Sequence, residues 1–182
     1  QNNINLSINS NEKNFDKVVI TSGAWSNIIA NYIGDDFPLD TERGYHVLFE
    51  NFNLIKRPIG WSESGFYLVQ IDEGLRAAGT VEIAGLQKPL NKKRVQMIEN
   101  QARKLLPKLG KVKKDWIGFR PTLPDSLPII GPSQKNKNIF YAFGHQHIGW
   151  TLGAITGKII NSLCNNLKTN INIDPFRSNR FN

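Results

Sequence analysis

The spacing of apolar and polar residues in the first 38 positions predicts an α/β segment. Apolar and polar residues alternate over residues 4–8 as in a strand, and residues 9–14 form a turn-rich polar stretch. The continuous apolar run within residues 17–21 is typical of a buried strand. It leads into a glycine turn at residues 22–26 and a short helical pattern that ends near Tyr32. This order of strand, glycine turn and helix commonly presents backbone N–H groups to a ligand.

The part that begins at residue 39 predicts an antiparallel meander. Four successive stretches have the character of strands, at residues 44–50, 54–59, 65–71 and 75–83. Asp72, Glu73 and Gly74 form a tight hairpin signal between the last two. Because strands joined by tight turns pair antiparallel, we expect an antiparallel sheet here.

One amphipathic helix is expected after the meander. Asn91 is a favourable cap residue, and apolar residues recur at helical spacing up to about Leu106. Pro107 and Gly110 then end the helical pattern. The lysine-rich residues that follow predict a connector leading to Trp116.

The last third of the chain predicts a second α/β segment. Pro124, Pro128 and Pro132 favour an irregular stretch, and residues 138–143 form another short apolar strand. A loop with a glycine at each end follows this strand, and a helix is expected from Trp150 to about Leu167.

Composition is that of a soluble globular protein. Of the 182 residues, 40% are hydrophobic and 21% are charged, and no apolar run approaches the roughly 20 residues of a membrane span. Cys164 is the only cysteine, so an internal disulfide is excluded and a reducing, cytoplasmic compartment is favoured. Its apolar neighbours predict a small core residue rather than a catalytic thiol. His46, His145 and His147 lack further ligands at suitable spacing, so no metal site is expected.

The formal net charge of +8 raises the alternative of a non-enzymatic basic domain that binds nucleic acid or acidic lipid. The basic residues cluster at residues 92–94 and 108–114. Aromatic residues are not interleaved with them, as stacking on bases would require. A solvated basic face is therefore favoured and no nucleic-acid partner is expected, although such a face could help an enzyme to sit on an anionic membrane.

Two features carry candidate chemistry. Gly149, Gly153 and Gly157 recur every four residues and so share one face of the last helix, which indicates either close approach of a ligand or packing of the helix on the sheet. The loop and helix start before them offer N–H donors to a group that gains negative charge. Arg120, in an apolar stretch before Pro121, fits either a bidentate carboxylate clamp or a structural salt bridge.

Five motifs resemble, in order and spacing, the FAD-dependent amino-acid oxidoreductase superfamily, which includes D-amino-acid oxidase, glycine oxidase and sarcosine oxidase. They are VVITSGAWS from Val18, LDTERGYHV from Leu39, LRAAGTVEIAGL from Leu75, WIGFRPTLPDSLPIIGPS from Trp116 and FYAFGHQHIGWTLGAITGKII from Phe140. The match is closest to the D-amino-acid dehydrogenases. The resemblance extends from Lys17 to Phe181 and covers nearly the whole chain.

The resemblance implies roles for individual residues. Arg120 would bind the substrate carboxylate, and His147 stands where relatives of the glycine oxidase type place a substrate-side arginine. Tyr67 aligns loosely with an active-site tyrosine, and the alternative for it is a strand aromatic that packs on the core. The residues implied to border the flavin are Gly23, Ala24, Trp25, Gly144, Gln146, His147, Ile148, Gly149, Trp150 and Thr151.

The resemblance also implies a fold of the α/β (α+β) class: the C-terminal part of an FAD-binding domain with an antiparallel-sheet substrate domain. Residues 1–38 would end the FAD-binding domain, residues 39–115 would form the substrate (cap) domain with its helix, and residues 116–182 would return to the FAD-binding domain. The family begins with a GxGxxG turn that holds the ADP half of FAD. This sequence has no such turn, so we expect a fragment that is inactive alone.

The implied reaction is FAD-dependent oxidation of a (D-)amino acid to a 2-oxo acid and ammonia, with hydride passing from Cα to flavin N5. A related oxidase or dehydrogenase of glycine, sarcosine or hydroxyproline is the nearer alternative. The implied partners are an amino-acid substrate and an electron acceptor, which is a quinone, another carrier or oxygen. Peripheral contact with the inner face of the cell membrane follows from the resemblance alone.

Overall fold

The computed structural model describes residues 3–50, 53 and 55–181 of the chain. The strands, in chain order, are β1 (Ile4–Ile8), β2 (Asn11–Phe15), β3 (Val18–Ile20), β4 (Asp40–Phe49), β5 (Ile59–Trp61), β6 (Phe66–Ile71), β7 (Gly74–Ile83), β8 (Val112–Thr122), β9 (Ile129–Pro132) and β10 (Ile139–Phe143). The helices are α1 (Ser26–Ile33), α2 (Lys92–Leu105) and α3 (Gly149–Cys164), and short 3₁₀ turns lie at Gly23–Trp25, Ser62–Ser64 and Asp174–Phe176.

The chain divides into two compact units. Unit 1 comprises Gln1–Thr41 and Arg120–Asn182, and unit 2 comprises Glu42–Phe119. The expected class of α/β with an added antiparallel sheet is confirmed. The assignment of an FAD-binding and a substrate role to parts of the chain stays a prediction.

Unit 1 contains a three-stranded sheet in the order β3-β10-β9, in which β10 pairs parallel with β3 and antiparallel with β9. One face of this sheet packs in a cluster with Phe37 and Leu123, and the other packs against Ile159 and Ile160 of α3. A separate hairpin joins β1 and β2 through Asn9 and Ser10, which have φ of +50° and +65°. Positive φ at both central residues is what a two-residue hairpin turn of type I′ requires.

Unit 2 is built on a five-stranded sheet in the order β5-β6-β7-β4-β8. β5, β6, β7 and β4 pair antiparallel, which confirms the predicted antiparallel sheet and the hairpin before Gly74. β5, β6 and β7 follow one another as in a meander, but β4 lies between β7 and β8, so the meander of four successive strands was wrong. The core lies on one face, where α2 packs its buried Val95, Ile98 and Ala102 against the sheet. Asn91 caps this helix as predicted, since its Oδ1 accepts a hydrogen bond from the N–H of Lys93 at 3.1 Å.

Several element predictions were wrong where the hydrophobic signal is weak. β2 overlaps the stretch at residues 9–14 that was expected to be turn, and all of its residues are exposed, so it has no alternation to detect. β8 covers the lysine-rich residues expected to be a connector, and it is an edge strand. Lysines are common on edge strands because they discourage pairing with another chain.

Three further boundaries differ from the predictions. The strand expected at residues 54–59 begins only at Ile59, and Leu54 lies outside the described residues. β9 occupies part of the proline-rich stretch expected to be irregular, and it ends on Pro132 at a sheet edge, where proline costs no ladder hydrogen bond. α3 begins one residue before Trp150 and ends at Cys164 rather than near Leu167. In the described part of the chain, no helix has the length and apolarity that crossing a membrane requires.

Candidate functional site

Two loops meet at one edge of the small sheet of unit 1. β3 and β10 are parallel neighbours, with Ile20 level with Tyr141, so their carboxyl ends lie side by side. β3 leads into the 3₁₀ turn Gly23–Trp25, and β10 leads into a loop at residues 144–148 that ends at α3. The carboxyl edge of parallel strands is where α/β sheets bind ligands.

The loop at residues 144–148 has an unusual backbone. Gly144 has φ of +87°, and a Cβ there would lie 2.7 Å from Cδ1 of Leu123. Gln146 also lies in the left-handed region, with φ of +49°, and its N–H donates to the carbonyl oxygen of Pro121 at 3.1 Å. Glycine is therefore required at residue 144, and a backbone hydrogen bond fixes the loop across the end of β10.

The turn, the loop and the start of α3 enclose a cleft of about 480 Å³. Six of the residues expected at the flavin line it: Gly23, Gly144, Gln146, His147, Gly149 and Trp150. Of the other four, Ala24 is buried, whereas Trp25, Ile148 and Thr151 are exposed, and none of them lines the cleft. The structure therefore brings two distant stretches of the sequence together around one concave surface.

The N-terminus of α3 opens at this cleft. Among the described residues no side chain caps it, and the first-turn N–H groups of a helix have no partners within the helix. These groups and the helix dipole favour negative charge at this end. The cleft can therefore hold an anionic group or one that gains negative charge.

Two of the three glycines of α3, Gly153 and Gly157, do not pack on the sheet. The buried residues of the helix are Thr156, Ile159 and Ile160, whereas a Cβ added at Gly153 or Gly157 would meet no atom within 4 Å. The alternative of helix-on-sheet packing is therefore wrong for these glycines. They leave a smooth open surface that extends from the cleft along the helix.

His145 lines the cleft but was not among the predicted site residues. Its Nε2 lies 3.0 Å from Oγ1 of Thr156, and its Cβ is 3.3 Å from where a Cβ of Gly149 would stand. Burial lowers the pKa of His145, so its ring is neutral at neutral pH. The sequence signal for it was its place in the glycine-bounded loop, two residues before His147.

Arg120 is half-buried and lies near the end of β8. It is the first residue of the second stretch of unit 1, whereas most of β8 belongs to unit 2. Its Nη1 is buried without a hydrogen-bond partner. No residue that the structure describes forms an ion pair with it, so the alternative of a structural salt bridge has no support in the described chain. A buried guanidinium nitrogen without a partner is suited to an incoming anion.

Tyr67 lies on β6 in unit 2, on the face of the sheet opposite the core. Its ring is 63% exposed and lies over Gly60, so the alternative of an aromatic packed in the core is wrong. Neither Tyr67 nor Arg120 lines the cleft of unit 1.

A family model and two curated relatives are all oxidoreductases by their descriptions. The family model described as FAD dependent oxidoreductase matches residues 4–163. The chain is 40% identical over 172 residues to a D-amino-acid oxidase of Bradyrhizobium diazoefficiens, covering 91% of this chain and 41% of that protein. It is 31% identical over 171 residues to a D-amino acid dehydrogenase of Vibrio atlanticus, with the same coverage of 91% and 41%. The chain thus spans about two fifths of the length of the curated relatives it matches.

Solved structures share the fold. Glycine oxidase from Geobacillus kaustophilus matches with a TM-score of 0.83 at 23% identity, covering 97% of this chain and 48% of that one. L-proline dehydrogenase from P. horikoshii matches with a TM-score of 0.83 at 20% identity, covering 97% and 50%. At such identities the likeness concerns the fold alone.

Proposed function

Because the chain belongs to the family of FAD-dependent oxidoreductases, we propose that the complete protein oxidises a D-amino acid to a 2-oxo acid and ammonia. The similarity to a D-amino-acid oxidase and to a D-amino acid dehydrogenase supports this substrate class. The observation in the structure that best supports it is the buried Nη1 of Arg120, which has no partner. An amino-acid substrate would provide a carboxylate for it.

The cleft of unit 1 fits the ring of a flavin. Gly23 and Gly144 have φ of +58° and +87° and add no side chain to its lining, and Gly149 opens the first turn of α3. When bound, FAD supplies the hydride acceptor at its N5 atom and gathers negative charge at its N1–C2 edge. The uncapped first turn of α3 would stabilise that charge, as would its helix dipole.

The residues of this chain would mainly bind and orient the substrate. The guanidinium of Arg120 would hold the carboxylate through two parallel N–H···O bonds, and His147 would contact the rest of the molecule. A substrate contact for Tyr67 stays a prediction from the resemblance. A substrate that enters with a neutral amino group needs no strong base, because its Cα–H bond breaks by hydride loss. Water then hydrolyses the resulting imine to the 2-oxo acid and ammonia.

Substitution of Arg120 tests this assignment in the flavin-loaded protein. Each charge-assisted hydrogen bond contributes about 1.5–3 kcal/mol, so Arg120→Ala should lower kcat/KM by roughly tenfold to a hundredfold per bond lost. Arg120→Lys should recover only part of this, since an ammonium cannot reproduce the fork. Steady-state kinetics on D-alanine measures the loss, and Arg177→Ala, which removes an exposed arginine, is the matched control.

Two further measurements separate a substrate contact of Arg120 from a structural role. The loss should shrink for an amine without a carboxylate, and the flavin content of Arg120→Ala should equal that of the parent. Kinetics identical to the parent would show that Arg120 binds no substrate. Loss of flavin and of cooperative unfolding in Arg120→Ala would instead indicate a structural role.

Glycine, sarcosine and hydroxyproline are the alternative substrates within the same family. A panel that compares these three with D-alanine discriminates them, because each would be oxidised through the same carboxylate contact but with a different Cα or nitrogen substituent. Faster turnover of glycine or sarcosine than of D-alanine would show that the proposed substrate class is wrong.

We also propose how electrons leave the protein and where it works. A quinone or another carrier would accept the electrons in a dehydrogenase, and oxygen would in an oxidase; oxygen consumption during turnover distinguishes the two. The exposed side of α2 presents Lys93, Met97 and Lys104 and is suited to peripheral contact with anionic lipid. Sedimentation with anionic vesicles that is abolished in Lys93→Glu/Lys104→Glu, but kept in Lys13→Glu, would support this contact.

A further inference from the structure

Residues 174–181 form a strap along the outer edge of β9 in unit 1. Within the described chain β9 pairs with β10 alone, so its other edge has backbone groups without a strand partner. Phe176 packs in the cluster that contains Ile130 of β9. Ser178 is buried, and its hydroxyl donates to the carbonyl oxygen of Pro132 at 2.6 Å. The strap is therefore fixed to the edge of the small sheet by apolar and polar contacts.

Arg180 of the strap binds one surface turn with its whole guanidinium. Its Nε donates to Oδ2 of Asp125 at 2.6 Å and its Nη2 to Oδ1 at 3.1 Å, which is the bidentate arrangement of an arginine with a carboxylate. Nη2 also donates to the carbonyl oxygen of Leu127 at 2.6 Å, and Nη1 donates to that of Pro128 at 3.2 Å. Only 13% of the Arg180 side chain is exposed. The bond from Arg180 chiefly lowers the pKa of Asp125, so this carboxylate is charged at neutral pH.

The turn that Arg180 binds has a backbone that needs support. Ser126 has φ of +63°, and its N–H donates to the carbonyl oxygen of Leu123 at 2.9 Å. Oδ1 of Asp125 also accepts a hydrogen bond from the N–H of Leu127 at 3.0 Å. A serine with positive φ is unfavourable by itself and persists where its surroundings maintain it. Arg180 holds the residues on both sides of Ser126 and so maintains the shape of this turn.

The same turn supports the loop that lines the cleft. Leu123 and Pro128 lie against Gly144, where an added Cβ would come 2.7 Å from Cδ1 of Leu123 and 3.4 Å from Cα of Pro128. Pro121, two residues before Leu123, accepts the hydrogen bond from the N–H of Gln146. Gly144 and Gln146 both line the cleft. The loop at residues 144–148 thus rests on the stretch at residues 121–128, which Arg180 binds.

We propose that Arg180 is a positioning residue for the flavin, because through the turn at residues 123–128 it holds the loop at residues 144–148 in the conformation that binds the ring. The inference rests on the proposed function, in which the cleft of unit 1 holds the flavin. Arg180 does not line the cleft, so it acts through other residues. A loop that is held in one conformation binds more tightly than one that must be ordered on binding.

Flavin affinity tests this role in the complete protein. Arg180→Met removes the charge and the donors but keeps an unbranched side chain, and it should weaken FAD binding by about tenfold. Arg180→Lys should recover part of the loss, because an ammonium keeps the ion pair with Asp125 but not the fork. Arg177→Met is the matched control, since Arg177 pairs with Asp174 at the exposed surface of the same strap. It should bind FAD as the parent does, and equal affinity in Arg180→Met would overturn the proposal.

Amide hydrogen exchange of the flavin-free protein shows where Arg180 acts. In Arg180→Met, peptides that cover residues 144–148 should exchange faster by about tenfold, because the bond from Gln146 to Pro121 opens more often. Peptides that cover β3 and β10 should exchange as in the parent. If faster exchange is confined to residues 174–181, Arg180 only anchors the strap. If it spreads over the whole sheet of unit 1, Arg180 only stabilises the fold, and either result would overturn the proposal.

Oxidation of D-alanine separates failure of this inference from failure of the proposed function. If D-alanine is oxidised while Arg180→Met binds FAD as tightly as the parent, the reaction stands and Arg180 does not position the flavin. If D-alanine is not oxidised but Arg180→Met weakens FAD binding and speeds exchange in the loop at residues 144–148, the positioning role stands and the proposed reaction is wrong.

Discussion

Glu82 is the most strongly perturbed acid of unit 2. It is buried, with 8% of its surface exposed, and it accepts a hydrogen bond from the hydroxyl of Tyr45 at 2.5 Å. This bond chiefly lowers its pKa to about 2, and Asn91 and the positive charges of Lys88 and Arg43 act in the same direction. Arg43 is fully buried beside it, with Nη1 3.8 Å from the carboxylate. The ionised form of Glu82 thus stabilises the folded unit.

This pKa predicts how stability depends on pH. Because the folded pKa lies below the ordinary value of 4.5, the contribution of Glu82 is fully present above about pH 4.5 and is lost as pH falls towards 2. Glu82→Gln should be less stable than the parent at pH 7, since Arg43 is left buried without a counter-charge. The difference should shrink steadily below pH 4.5.

Denaturant unfolding of both proteins at pH 7, 4.5 and 3 measures this. Glu73→Gln is the matched control, because Glu73 is exposed in the turn between β6 and β7. If the difference in unfolding free energy between Glu82→Gln and the parent stays constant from pH 7 to pH 3, the charge of Glu82 does not stabilise the fold.

The chemistry of single residues was partly predictable from the sequence. Arg120 stood out as an arginine in an apolar stretch, but whether it had a partner depended on residues distant in sequence. Tyr67 could not be separated from a core aromatic, because the side of the sheet it faces depends on strand register. The pairing of Arg180 with Asp125 was invisible to short-range patterns, since 55 positions separate the two residues.

At the scale of elements, α3 shows two faces with different roles. Its apolar face packs on the sheet through Ile159 and Ile160, and its glycine face is open from the cleft onward. Periodicity predicted the shared glycine face, but it did not show which face was buried. Strands β2 and β8 escaped prediction because one is fully exposed and the other is a lysine-bearing edge, so neither has the alternation of a half-buried strand.

The position of each glycine relative to the cleft predicts that two substitutions on α3 differ in their effect on flavin affinity. Gly149 lines the cleft, whereas Gly157, eight residues further along, does not. Gly149→Val should lower the flavin affinity of the complete protein by about tenfold or more, because its side chain enters the cleft and meets Cβ of His145. Gly157→Val should keep the parent's affinity, since a Cβ there meets no atom within 4 Å.

Fluorescence titration of the flavin-free protein with FAD measures both affinities, and thermal unfolding controls for any change in helix stability. Equal affinity for FAD in Gly149→Val and the parent would remove the first turn of α3 from the proposed flavin site.

At the scale of the whole molecule, the two units differ in how the sequence encodes them. Unit 1 is assembled from two separate stretches, Gln1–Thr41 and Arg120–Asn182, and the parallel pairing of β3 with β10 joins residues more than a hundred positions apart. Short-range patterns cannot show such pairing, so the cleft was found only through the resemblance. Unit 2 is continuous, and the pairing of β6 with β7 follows from the turn signal between them. The pairing of β4 with β7 joins strands that β5 and β6 separate in the sequence, so turn signals did not show it.

The continuity of unit 2 predicts that it folds without the rest of the chain. Residues 40–122 include every strand of its sheet from the start of β4 to the end of β8. α2 completes the core, to which the described residues of this stretch contribute twelve buried side chains. Expressed alone, they should unfold cooperatively with a stability on the order of 5 kcal/mol.

Substitution of Ile98 tests this prediction. Ile98→Ala should lower the free energy of unfolding by about 2–5 kcal/mol, because Ile98 is buried between α2 and the sheet. Met97→Ala, on the exposed side of the same helix, should change stability by less than about 0.5 kcal/mol. Urea unfolding followed by circular dichroism measures all three, and a gradual transition insensitive to Ile98→Ala would show that the core of unit 2 does not form by itself.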